Sequence, residues 1–180
     1  MIMNYKECVA RYGSPWRMKQ AREEGKLFKI EPGIYAETVY VPVEAVLAKK
    51  YPMAVFSGQY ALHIHNLTDK TPSKYTLTTG RKTSPINDTR VLQLYVPEKL
   101  LYLGVTEWSI DGNVIPIYDK ERMLIEVLRY KHRLPDALYK EALNNYRNRI
   151  CQLDLDRVCE YTAQFPKREM ILRRLEAEVL

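Results

Sequence analysis

Apolar residues near the start of the chain recur at helical spacing. Tyr5, Cys8, Val9 and Tyr12 fall at i, i+3, i+4 and i+7 and draw one stripe down a short helix that Gly13 closes. Ser14 then offers a hydroxyl cap, and Pro15 suits the first helical position, where its missing N–H would be unpaired anyway. A second helix is therefore predicted to about Glu24, ahead of Gly25. Beyond Gly25 the pattern is that of strands. Leu27 to Ile30 and Ile34 to Tyr35 read as two short strands joined by Glu31-Pro32-Gly33, a type II turn with proline at i+1 and glycine supplying positive φ at i+2. Helix, tight turn, helix and hairpin in that order predict a winged helix-turn-helix over residues 1–40.

A second module is expected over residues 41–180. "VPVEAVLAKKYP" reads as a helix opened by Pro42 and closed before Pro52, and Ser57 is placed to cap another from Gly58 to about Asn66. The β-formers of "KYTLTT" (74–79) and "RVLQLYV" (90–96) predict strands separated by a polar loop. Asp111-Gly112 between "VTEWSI" and "NVIPIY" is a strong hairpin signal. From Asp119, a good N-cap, helical periodicity returns over 120–131, 136–148, 154–165 and 167–180. Its stripes are Leu124, Val127 and Leu128; Leu138, Ala142, Leu143 and Tyr146; Leu155, Val158, Cys159 and Thr162; and Ile171, Leu175 and Val179. The expected class is α+β: an N-terminal winged helix-turn-helix, then a mixed α/β domain with strands at about 74–118 and a helical C-terminal tail at about 120–180.

Composition narrows the partners more than the fold. With 180 residues and 46% hydrophobic content the chain is long enough to bury a real core, and its net charge of +6 favours an acidic partner such as nucleic acid. The surplus is spread along the chain, so such contact must come from folded geometry and not from a basic tail. Three cysteines without C-x-x-C spacing fit a reduced, cytoplasmic setting. The N-terminus lacks an apolar signal core, and the longest charge-free run, 51–68, is interrupted by polar residues and a proline; neither a leader nor a membrane span is expected.

The candidate chemistry concentrates at the second helix and the hairpin. Read as a recognition helix, it presents Ser14, Trp16, Arg17, Lys19, Gln20 and Arg22 to DNA, with Met18 and Ala21 turned to the core. Arg17 and Gln20 are the candidates for base edges, and Lys26 and Lys29 stand where phosphates would pass the wing. The alternative reading of the same stretch is a small amphipathic helix leading into a sheet, its charges merely solvated. His63 and His65 would share a face on a strand but point apart on the helix, so packing is expected over metal binding, and His132 suits a helix C-terminus. Glu24-Gly25-Lys26 lacks the partner carboxylate of a nuclease site, and there is no phosphate-cradling glycine loop or serine elbow. Cys8 has no histidine near it and reads as a packed residue. No catalytic residue, metal or cofactor is therefore expected. Exposed basic pairs in the tail, Arg147 with Arg149 and Arg173 with Arg174, and the Arg129-Lys131-Arg133 run, read either as a solvated face or as a second contact surface.

The order of these features resembles the AbiE-type antitoxins, the regulator half of bacterial abortive-infection (type IV) toxin–antitoxin systems. The resemblance rests on "EEGKLFKIEPGIYAE" in the head, on "FSGQYALHIHNLTD" and "IPIYDKERMLIEVLRY" with its Glu121-Arg122 helix start, and on "KEALNNY" beyond. Glu31 stands where the family carries a basic wing tip, and little chain precedes the first helix. The resemblance implies that the N-terminal winged helix binds double-stranded DNA at inverted repeats in its own promoter, with residues 14–29 reading the operator, and represses its operon. It implies an antitoxin domain from about residue 41 that counters a cognate nucleotidyltransferase toxin without needing a stable complex. The rival expectation is a protein-interaction module, or a stand-alone regulator with no toxin partner.

Overall fold

A computed structural model describes residues 1–180, and the architecture is α+β. The chain divides into two compact units, residues 1–53 with 107–115, and residues 54–106 with 116–180.

The first unit is built from β1 (Ile2–Asn4), α1 (Tyr5–Tyr12), α2 (Pro15–Glu23), β2 (Phe28–Glu31), β3 (Ile34–Ala36) and α3 (Val43–Lys50). Its sheet has the order β1-β3-β2, all antiparallel. Strand β1 was not expected: three residues are too few to show an alternation, and it exists because Ile2, Met3 and Asn4 pair with Ala36, Tyr35 and Ile34. Asn4 then opens α1 through a capping box. Its side chain accepts the Glu7 N–H while the Glu7 carboxylate accepts the Asn4 N–H. Gly13 closes α1 in the left-handed conformation, and one residue later Ser14 caps α2 by accepting the Arg17 N–H at 3.2 Å. Gly33 has φ of 80°, as the type II turn requires. Met3, Cys8, Met18, Ala21, Leu27 and Tyr35 form one buried cluster, which locks α1 and α2 onto the hairpin. Each large apolar side chain removed from water there contributes roughly 1.5–3 kcal/mol. The unit continues past residue 40, because α3 packs on β1 and β3.

The second unit carries β4 (Val55–Phe56), α4 (Gly58–Ile64), β5 (Tyr75–Gly80), β6 (Val91–Val96), α5 (Glu98–Leu101), α6 (Lys120–Arg129), α7 (Asp136–Asn148), α8 (Leu155–Ala163) and α9 (Arg168–Glu178). The hairpin strands β7 (Val105–Ile110) and β8 (Asn113–Tyr118) turn on Asp111 and Gly112, with φ of 47° and 74°, the pair of positive values of a type I′ turn. The five-stranded sheet runs β6-β5-β4-β8-β7, so β6 is an edge. Strands β5 and β6 are parallel, and the polar loop between them supplies the return path a parallel pair needs. Gln93 pins that loop by accepting the Ile86 N–H and donating to Thr79 Oγ1.

Besides β1, four features differ from the sequence expectation. β4 and α5 had no periodic signal, being two and four residues long. Ser57 sits at the start of α4, but its hydroxyl pairs with Thr78 Oγ1 at 2.7 Å and makes no cap, because β5 offers a buried partner. Cys159 is exposed and lies outside the buried stripe of α8, where Val158 and Thr162 face inward.

Helix α6 is buried far beyond its Leu124, Val127 and Leu128 stripe, since α4, α7, α8 and α9 all pack on it. At its centre Arg122 is 0% exposed. Its guanidinium donates to Glu126 Oε1 at 2.7 and 3.1 Å and to the carbonyls of Leu100 and Leu103 at 3.0 and 3.2 Å. It lies over the rings of Tyr118 and Phe165 at 4.6 and 4.5 Å. The neighbouring Glu121, also buried, accepts the Asp154 N–H at the start of α8. Glu121 and Arg122 are thus braces of the second unit. No helix is long and apolar enough to cross a membrane.

Candidate functional site

Burial of Met18 and Ala21 fixes which way α2 faces. Trp16, Lys19, Gln20 and Glu23 recur at i, i+3, i+4 and i+7 and form its solvent side, with Trp16 69% exposed. Arg17 lies on one flank, beside the Gly13 turn, and Arg22 on the opposite flank, toward β2. Arg17, Gln20, Arg22 and Lys29 are exposed and hold no ion pair or side-chain hydrogen bond within the chain. A side chain already committed to an internal partner must give it up to bind anything else; these four need not.

The remaining candidates are less free. Ser14 spends its hydroxyl on the helix cap. Lys19 faces Glu23 at 3.8 Å, and Lys26 donates to Glu24 at 2.7 Å, a hydrogen bond that raises the lysine pKa. Both pairs are solvent-exposed and easily exchanged for another anion.

Lys19, Arg22 and Lys29 converge. Together with Glu23, Leu27 and Phe28 they line a concavity of about 390 Å³ between α2 and β2. Ser14, Trp16, Arg17, Gln20 and Lys26 lie outside it, so the structure divides the sequence candidates into a groove set and an outer set. Phe28, whose place in a strand gives no local sign of this role, forms part of the wall. The turn-forming Glu31 is not an unopposed negative charge: Lys50 of α3 meets its carboxylate at 3.2 Å. Nineteen residues separate the two, so no local pattern could reveal the pair. A basic concavity flanked by free donors suits a polyanion, with the helix face free to reach a second layer of acceptors.

Elsewhere the sequence candidates are largely tied down. His65 Nε2 meets the Tyr118 carbonyl at 2.7 Å, and burial holds its pKa below the ordinary histidine value, against the opposing pull of that hydrogen bond. His63 Nδ1 is buried without a partner. Cys8 is buried, and burial raises its thiol pKa. No three His, Cys, Asp or Glu side chains converge as a metal-holding group. Among the basic residues of the tail, Arg129 pairs with Glu126, Lys131 with Glu178, Arg147 donates to the Glu178 carbonyl and Arg174 to the Leu128 carbonyl. These four are structural ties of the second unit.

No protein-family model matches the chain, and no curated protein does. Among solved structures the chain is similar to the RV2827C protein from Mycobacterium tuberculosis. The TM-score is 0.61 at 11% sequence identity, over 99% of this chain and 72% of that one. At that identity the likeness bears on the fold alone, and it is consistent with the α+β architecture.

Proposed function

We propose that this chain is a non-enzymatic, cytoplasmic, DNA-binding regulator in which α1, α2 and the β2–β3 hairpin act as a winged helix-turn-helix. The observation that carries the reading is the concavity between α2 and β2, where Lys19, Arg22 and Lys29 converge while Arg17 and Gln20 stay exposed and unpaired. In this reading α2 enters the major groove, Arg17 and Gln20 reach base edges, and Lys29 with Arg22 meets the phosphates alongside. The resemblance to the AbiE-type antitoxins extends the proposal. The DNA is the operon's own promoter, read at inverted repeats, and the second unit counters a nucleotidyltransferase toxin encoded beside it.

The test is binding of the full chain to the DNA upstream of its own gene, against a scrambled duplex, at two salt concentrations. Specific binding whose logarithm falls linearly with log salt is expected. Arg17→Ala with Gln20→Ala should erase the preference, each lost base contact costing about 1–3 kcal/mol, and Lys29→Ala should weaken all duplexes alike and lower the salt slope by about 1. Equal affinity for both duplexes refutes the operator reading. The antitoxin half is tested separately, by whether co-expression with the neighbouring gene restores growth that the neighbour alone arrests.

A further inference from the structure

The second unit holds a larger concavity that the DNA reading does not use. It encloses about 510 Å³ and is bordered by Leu92 to Val96 of the edge strand β6. The parallel register puts Leu92 beside Thr76 and Leu94 beside Thr78, so all four share the sheet face that floors it. The floor is polar at its centre, with Thr78 bonded to Ser57, and apolar at its outer margin. There Leu92 and Leu94 remain 51% and 38% exposed. Val127 of α6 and Leu138 of α7 are among the wall residues.

The backbone of β6 is half used. Tyr75 N–H donates to the Arg90 carbonyl and Arg81 N–H to the Val96 carbonyl, which fixes the even-numbered residues of β6 as those bonded to β5. The amides and carbonyls of Gln93 and Tyr95 therefore point out of the sheet edge. A strand with unpaired backbone groups, exposed leucines at alternate positions and a concavity beneath them has the components of strand addition. Charge selects the occupant. Lys74 and Arg133 line the opening, both are exposed, and neither makes an ion pair. Glu126, the carboxylate among the lining residues, is already held by Arg122 and Arg129.

We propose that β6 is a docking edge for an extended segment of another protein, with apolar side chains at alternate positions and Asp or Glu beside them. Its backbone pairs with Gln93 and Tyr95, its apolar side chains enter the concavity over Leu92 and Leu94, and its carboxylates meet Lys74 and Arg133. A second copy of this chain fits less well, since it would bring a second set of basic rims to the same edge.

The experiment selects an eight-residue random peptide library against the full chain, then measures the recovered peptides by calorimetry. Peptides with alternating apolar residues and enriched Asp or Glu are expected. Tyr95→Pro removes an outward N–H without touching the β5 ladder, and should weaken binding at least tenfold, whereas Tyr95→Phe should bind like the parent. Leu94→Glu, at an exposed position, and Lys74→Glu combined with Arg133→Glu should each cost a similar factor. A selection without acidic, alternating peptides overturns the proposal, as does binding indifferent to Tyr95→Pro or Leu94→Glu in chains with unchanged circular dichroism. Concentration-dependent self-association abolished by Tyr95→Pro would assign the edge to a second copy instead. All four residues lie in the second unit, so DNA binding should survive these changes, and failure here is separable from failure of the operator reading.

Discussion

Replacing Arg122 by methionine tests whether the second unit is organised around this buried cation. Methionine preserves much of the stem volume, so the change isolates the loss of charge and donors from the loss of packing. Two carbonyls, Leu100 and Leu103, lose the donor that now satisfies them. Orphaning one buried acceptor costs about 1–3 kcal/mol. Glu126 keeps only Arg129, at 3.1 and 3.3 Å, where it now also has Arg122 at 2.7 Å, and breaking a buried ion pair costs about 3–5 kcal/mol. These contributions overlap, because one guanidinium makes all of them, and the expected total is about 3–5 kcal/mol, not their sum. Urea unfolding followed by far-UV circular dichroism reads it, since α6 to α9 all lie in the second unit. The midpoint should fall with little change in slope. A single mutant within about 1 kcal/mol of the parent would refute the reasoning and leave Arg122 a replaceable space-filler.

Three other expectations follow from the same packing. Gly104→Ala should destabilise by roughly 2–4 kcal/mol on urea unfolding, because Gly104 has φ of 75° and a Cβ there would lie 2.6 Å from Arg122 Cβ and 2.9 Å from the Tyr161 ring. His65 should titrate by NMR with a midpoint below 6.5, because burial disfavours its charged form. Its folded pKa is depressed, so its stabilising contribution is whole above the unfolded value near 6.5 and is lost as pH falls through the folded one; His65→Gln should flatten that part of the pH–stability curve. Asn4→Ala should cost the first unit about 1 kcal/mol by removing the capping box, read by the fluorescence of Trp16 and Trp108, both in that unit. A mutant melting with the parent would show that β1 pairing alone holds the start of α1.

The sequence alone determined those elements whose signals are local. Gly13 beside Ser14-Pro15, Pro32-Gly33, Asp111-Gly112 and the stripes of α6, α7 and α9 each encode their structure within a few residues, through backbone restriction or helical period. The outward face of α2 was legible for the same reason, since Met18 and Ala21 leave Trp16, Lys19 and Gln20 nowhere to go but solvent. Tertiary structure decided what depends on residues distant in the chain. It made β1 and β4 strands by pairing segments too short to show a period, and it diverted the Ser57 hydroxyl from its helix to Thr78. It neutralised Glu31 with Lys50, and it buried Arg122 between two rings while handing its donors to Glu126 and two carbonyls. It brought Lys29 across from the hairpin to Lys19 and Arg22, and left β6 at a sheet edge over a concavity. A turn or a stripe is set by the torsions and spacing of neighbours, whereas a charge's partner and a strand's edge depend on which distant surfaces the folded chain brings within hydrogen-bonding reach.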